Sequence, residues 1–187
     1  MYPSWMNEAS FYEILERIDK DLAQAAREAR CGCGGRLDSA RYPRKPRGGP
    51  FHLGPGYDWR LSFCCALEGC RRRVTPPSVR YLGRRVYLGC VVVLVTAMEQ
   101  GVTLRRLARL NAHLGVGLRT LRRWRQWWRE SFVATRFWRH ARGRFMPPVD
   151  ECELPRTLLE RFGGEPASKL LSLLVFLTPL TTTPGKT

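Results

Sequence analysis

The sequence predicts a mainly α fold with one small β module near its start. Three observations carry this. Apolar residues recur at helical spacing over residues 11–29 and again beyond residue 85, a stretch rich in Gly, Pro and Arg interrupts that pattern from Cys31 onward, and residues 59–65 alternate as a short strand.

The first helix is the most regular. Ser10-Phe11-Tyr12-Glu13 has the form of a capping box, and Phe11, Ile14, Leu15, Ile18, Leu22, Ala25, Ala26 and Ala29 then recur at the spacing of one helix face, giving a helix of about 20 residues. The opposite face, with Glu16, Asp19, Lys20 and Arg27, reads as solvated. The apolar face has to pack on the rest of the chain or on a second copy, as in a homodimer.

From Cys31 the composition changes abruptly. Tyr42-Pro43-Arg44-Lys45-Pro46-Arg47-Gly48-Gly49-Pro50 cannot form a regular helix or a central strand. In the strand that follows, Trp59, Leu61, Phe63 and Cys65 share one face. Beyond Thr75-Pro76-Pro77-Ser78 the pattern is helical again over residues 86–100, where Gly101 ends the run, then over 104–113, 118–132 and an extension at 136–144. Met146-Pro147-Pro148 marks a boundary, followed by two short helices at 154–161 and 168–177. Four segments result: residues 1–30, 31–78, 79–146 and 147–187.

Charge is concentrated in the middle of this plan. The 187 residues hold 32 Lys and Arg against 16 Asp and Glu, a formal net charge of +16. Residues 31–146 carry 24 basic and 5 acidic side chains, while the two flanking segments are close to neutral. Such an excess points to a polyanionic partner. Of the basic residues 28 are Arg, the side chain suited to bidentate contact with phosphates and guanine edges. The N-terminus lacks a charged segment followed by an apolar one, so no secretion signal is expected. The apolar runs at 86–98 and 170–180 are shorter than the roughly 18–20 residues needed to cross a bilayer. A cytoplasmic, nucleoid-associated protein without membrane contact is expected.

Seven cysteines, several clustered, favour metal ligation in a reducing compartment over a disulfide framework. Cys31-Gly32-Cys33-Gly34-Gly35 and Cys65-Ala66-Leu67-Glu68-Gly69-Cys70 form two close pairs on Gly-containing turns. Two such turns are how a small β module presents four thiolates to a tetrahedral zinc ion, and four thiolates leave no open position for substrate. A structural Zn2+ held by Cys31, Cys33, Cys65 and Cys70 is therefore expected. Cys64 competes with Cys65, which is preferred because it shares a strand face with Phe63 and Leu61, and His52 is an alternative ligand. Cys90 and Cys152 read as small core residues.

Thr103 to Leu110, with Leu104, Leu107, Ala108 and Leu110 inward, is followed by Leu114-Gly115-Val116-Gly117 and then by Leu118-Arg119-Thr120-Leu121-Arg122-Arg123-Trp124-Arg125-Gln126-Trp127-Trp128. Apolar helix, Gly turn and basic helix is the pattern of a helix-turn-helix. Leu118, Leu121, Trp124 or Arg125, and Trp128 fall on a packing side, while Arg119, Arg122, Arg123 and Gln126 fall together on the other. That second side suits a major groove, arginines to guanine or phosphate and Gln126 to adenine. Arg44, Lys45, Arg47, Arg71, Arg72, Arg73, Arg84 and Arg85 are expected to contact phosphates. The fold class is thus a zinc-ribbon module followed by a helical bundle that contains a helix-turn-helix.

The cysteine pairs leading into Arg71-Arg72-Arg73-Val74-Thr75-Pro76, together with the later helices, resemble the zinc-ribbon and helix-turn-helix regions of bacterial transposases and related mobile-element proteins, over about residues 31–130. The resemblance implies a DNA-binding accessory or targeting protein that grips one duplex with both modules, with a transposase or recombinase as a further partner. The basic region offers only Asp38, Asp58, Glu68, Glu99 and Glu130, in no arrangement that suggests a two-metal site, so no catalytic domain of its own is expected. Two other readings fit the same charge: an RNA-binding zinc protein, and an interaction protein whose partner is acidic but not a nucleic acid.

Overall fold

The computed structural model describes residues 4–49, 53–82, 86–97, 108, 111–112 and 114–182. Helix α1 spans Ala9–Glu28 and buries Phe11, Tyr12, Leu15, Asp19 and Ala23. Its cap position is taken by Glu8, which makes no side-chain cap, so Ser10 lies inside the first turn and the capping-box expectation fails. The reason is the preceding 3-10 turn, Ser4–Asn7, which delivers the chain one residue pair early. Apolar contact fixes the start instead: Met6 is buried, Tyr12 donates its hydroxyl to the Met6 carbonyl at 2.8 Å, and Trp5 meets Phe11 edge-on.

Two small antiparallel sheets follow. One contains β1 (Leu37–Ser39), β4 (Phe63–Cys65) and β5 (Arg73–Val74) in the order β1-β4-β5, with Leu37 opposite Cys65 and Phe63 opposite Val74. The other pairs β2 (Tyr42–Pro43) with β3 (Trp59–Arg60). The single strand expected over residues 59–65 is therefore broken at Leu61-Ser62, and the common face expected for Trp59, Phe63 and Cys65 does not form. Phe63 and Cys65 are buried, Trp59 is exposed, and Arg60 is buried in its place. Arg60 turns inward because it donates to the Pro76 carbonyl at 2.5 Å and lies over the Tyr81 ring, contacts that the alternation of the sequence does not encode.

Helix α2, Gly89–Ala97, has every residue buried, as a helix apolar all round must. It starts at Gly89 rather than at residue 86 because Tyr87 and Leu88 are held in bridges to Arg47 and Tyr81. Its expected C-terminal end, residues 98–101, lies outside the described residues. Helix α3, Leu118–Gln126, runs on into a π turn, Trp127–Phe132. Helix α4, Arg136–Ala141, is capped by Thr135, whose hydroxyl accepts from the Trp138 N–H. Short α5, Arg156–Leu159, and α6, Pro166–Phe176, complete the chain.

Helix α2 packs against α3, α5 and α6. Trp124, Trp128, Phe132 and Trp138 form an aromatic tier beside it, the last three in successive ring contact. One continuous core takes residues from α1, α2, α3, α5 and α6. A second, smaller core beneath the β1-β4-β5 sheet contains Cys31, Leu37, Phe63, Cys65 and, from the far end of α1, Ala23. Helix α1 thus joins the two cores, and Asp19 sits at the joint.

Asp19 was expected on a solvated face, but it is only 1% exposed. Its carboxylate accepts from Ser78 Oγ at 2.6 Å, the Val79 backbone N–H at 2.7 Å and Arg80 Nε at 2.7 Å, and Arg80 is equally buried. The charge is tolerated there because a cation and two neutral donors satisfy it.

Candidate functional site

The two cysteine turns are built by local backbone bonding. Gly34 N–H donates to the Cys31 carbonyl at 2.7 Å and Cys31 N–H to the Gly35 carbonyl at 3.0 Å, curling the first turn. Gly35 has to be glycine: a Cβ there would stand 2.6 Å from Cys65 Sγ. The second turn closes through Cys70 N–H to the Leu67 carbonyl at 3.1 Å, and Arg71 leaves it with a φ of 45°. Register then does the rest, because Cys65 ends β4 opposite Leu37, whose strand begins just after the first turn.

These turns bring Cys31, Cys33, Cys65 and Cys70 together, all four sulfurs within 4.8 Å of one another. Cys31 and Cys70 are 3.8 Å apart, Cys33 and Cys65 3.5 Å. Thiolates at about 2.3 Å from a tetrahedral metal stand about 3.75 Å apart, so the donor set fits such an ion. A disulfide, at about 2.05 Å, does not describe any pair. Cys64 is outside the cluster, its sulfur 3.4 Å from the Arg71 carbonyl. His52 lies outside the described residues.

The thiols differ in acidity. The Gly35 backbone N–H, helped by the sulfurs of Cys70, Cys31 and Cys65, lowers Cys33 to about 7. Cys65 is pulled down by the Leu67 backbone N–H, yet burial and hydrogen bonding with the other sulfurs push it up to about 12. Without a cation, the cluster therefore favours one negative charge over four. A divalent ion would supply the missing charge and displace the remaining protons.

The basic residues sort by exposure. On α3, Arg119, Arg122, Arg123 and Gln126 are exposed, whereas Leu121, Trp124 and Trp128 are buried, so the division drawn from helical spacing is present in the packing. Gln126 Nε2 donates to Glu130 Oε2 at 2.9 Å, which leaves its amide oxygen for other partners. Gly115, with a φ of 62°, makes the turn before α3, its N–H reaching the Asn111 carbonyl at 2.9 Å. Most of the helix expected at residues 104–113 lies outside the described residues, so no helix-turn-helix is described as a whole.

Around the cysteine cluster and its two small sheets, Lys45, Arg47, Arg71, Arg72 and Arg73 are exposed and Arg44 is half-buried. Arg84 and Arg85 lie outside the described residues. Four arginines alternate with tyrosines in a ladder that sequence reading missed. Arg80 lies over Tyr57 and Tyr81, Arg60 and Arg44 over Tyr81, and Arg44 and Arg73 over Tyr42. The ladder runs from the buried Asp19 joint to the exposed Arg73. A signal for its inner end existed: Asp19 lies four residues from both Leu15 and Ala23 and so shares their buried face. Cys90 is buried as expected, but Cys152 is exposed, because the Asp150 side chain accepts its backbone N–H and holds it in a surface 3-10 turn.

Arg47 also ties the basic loop to α3. It bridges Tyr87, whose ring meets Trp124 at 5.0 Å and whose hydroxyl donates to the Gly115 carbonyl at 2.5 Å.

No family model, curated protein or solved structure matches the chain. Among the described residues, no helix is long and apolar enough to cross a membrane.

Proposed function

We propose that this chain binds nucleic acid, and duplex DNA in particular, through the exposed face of α3 together with the arginines of the ribbon. The carrying observation is the division of α3: three arginines and a glutamine point to solvent on one side of a helix anchored on the other by Leu121, Trp124 and Trp128. Exposed arginines at this density have few acids to pair with, since residues 31–146 hold only 5. Counterion release from DNA is the natural reward for such a surface.

In this reading the four cysteines hold a structural Zn2+, which pins both ends of the basic loop so that Lys45, Arg47, Arg71, Arg72 and Arg73 are presented as one surface. The bridge from Arg47 through Tyr87 to Trp124 supports the two basic surfaces acting together. Within the cell the protein would act as an accessory or targeting factor for a transposase or recombinase, with no catalytic step of its own. This last step rests on the motif resemblance alone.

Binding of labelled duplex DNA and of structured RNA across a salt series tests the reading. Tighter duplex binding that weakens steeply with salt is expected. Preference for RNA would replace DNA with RNA as the partner, and binding to neither would leave an acidic protein partner.

A further inference from the structure

Beyond the α3 face and the cysteine cluster, one of the six tryptophans stands apart. Trp124, Trp128 and Trp138 are buried, Trp5 and Trp127 are half-buried, and each of these meets another ring. Trp59 is 38% exposed and has no ring partner among the described residues; the Arg41 guanidinium lies over its indole, 5.0 Å from the centroid. The pairing of β2 with β3 explains this placement. Along β2 and its flanks Arg41, Pro43 and Lys45 are exposed while Tyr42 and Arg44 are half-buried, the period of two of a strand. Pro43 is the register partner of Trp59, so the two share the outward face. Residues 41–47 carry four cations and no acid, and Asp58 is the one acid on the facing segment, residues 58–60. Neither Arg41 nor Lys45 makes an ion pair among the described residues.

We propose that this face is a stacking platform for an unpaired base, with the Trp59 indole as its floor and Arg41 and Lys45 on the flanking phosphates; it rests on the reading that the chain binds nucleic acid. A base stacked on an aromatic side chain is worth about 5- to 150-fold in affinity. An exposed cation–π contact is worth about 2- to 5-fold. The base therefore takes the guanidinium's place over the ring, and Arg41 moves to the adjoining phosphate. Bases inside a helix are closed to such a contact. The partner is then a duplex that carries unpaired nucleotides, at an end, a junction or an opened site.

The full-length protein is titrated with a blunt DNA hairpin duplex, with the same duplex bearing a single-stranded thymidine overhang, and with the free thymidine oligonucleotide. The overhang duplex should bind more tightly than the blunt one, quench tryptophan emission and shield the exposed indole from acrylamide, all in the unaltered protein. Trp59→Leu should lose roughly tenfold in affinity for the overhang duplex and lose the extra quenching, while its affinity for the blunt duplex is kept. Trp59→Phe should restore most of the lost affinity. An indole that merely covers the sheet would leave the two duplexes alike. Equal affinity and equal quenching with both duplexes overturns the platform and leaves duplex binding in place, as does a Trp59→Leu variant with parental far-UV circular dichroism that binds both duplexes equally weakly. Binding of the free oligonucleotide that Trp59→Leu weakens, with no duplex bound, sustains the platform and overturns the duplex reading. No binding of any probe overturns both.

Discussion

Replacing Asp19 by alanine tests the joint between the two cores. The carboxylate accepts from Ser78 Oγ, Val79 N–H and Arg80 Nε, all within 2.7 Å, and both partners of the ion pair are 1% exposed or less. Asp19→Ala leaves the Arg80 guanidinium buried with, among the described residues, the Gly56 carbonyl as its remaining hydrogen-bond acceptor and the rings of Tyr57 and Tyr81 beside it. Breaking a buried pair from one side costs about 3–5 kcal/mol, against the total of about 5–15 kcal/mol typical of a folded domain. Urea denaturation followed by circular dichroism should therefore show the midpoint falling by about a fifth or more. Two controls sharpen the reading. Lys20→Ala removes a surface pair with Glu16 and should cost less than about 1 kcal/mol. Asp19→Leu combined with Arg80→Met removes both charges and should recover much of the loss, because apolar pairs of similar volume replace buried ion pairs without penalty. If Asp19→Ala unfolds within about 1 kcal/mol of the parent, Arg80 is reaching water and the joint is not dry.

Three further outcomes are expected. Protein purified without chelator should contain one zinc per chain by metal analysis, lost in Cys65→Ser/Cys70→Ser and kept in Cys64→Ser; equal zinc in all three would remove the ligand assignment. After chelation, Cys33, exposed and lowered to about 7, should be the fastest of the four cluster thiols to alkylate, and rebinding metal should protect it; labelling led by Cys65 would contradict the assigned acidities. Alkali should destabilise the fold. Burial pushes Cys90 up to about 12 and raises Tyr57 and Tyr81 even against the pull of Arg80, so their protonated forms favour the folded chain. That contribution is complete below the ordinary thiol and phenol values of 9.0 and 10.0 and is lost as pH climbs towards the raised ones. The urea midpoint should fall between pH 8.5 and pH 11, and a flat profile there would show these groups are solvated.

Elements whose signal is local were legible in the sequence. The cysteine quartet could be read because two thiols close together on a Gly turn have few other uses, and the split of α3 because Leu121, Trp124 and Trp128 repeat at helical spacing. Elements decided by distant contacts were not. The break at Leu61-Ser62 depends on Arg60 finding the Pro76 carbonyl, and burial of Asp19 on Ser78 and Arg80, some 60 residues away. A charge in a sequence reads as solvated until its partner is known. The start of α1 was misplaced for a similar reason, since Met6 and Trp5 anchor it through side chains instead of a cap. Nor does composition announce the Arg–Tyr ladder, because its rungs come from separate stretches of chain.

The salt dependence of duplex binding by Arg119→Ala/Arg122→Ala/Arg123→Ala tests the central claim most directly. All three side chains are exposed, so the variant should fold as the parent does. Each phosphate contact contributes about 0.9 to the slope of log K against log salt, so the slope should become shallower by up to about 2.7, with weaker binding at every salt concentration. An unchanged affinity and slope would contradict the account, because the face of α3 would then lie away from the nucleic acid.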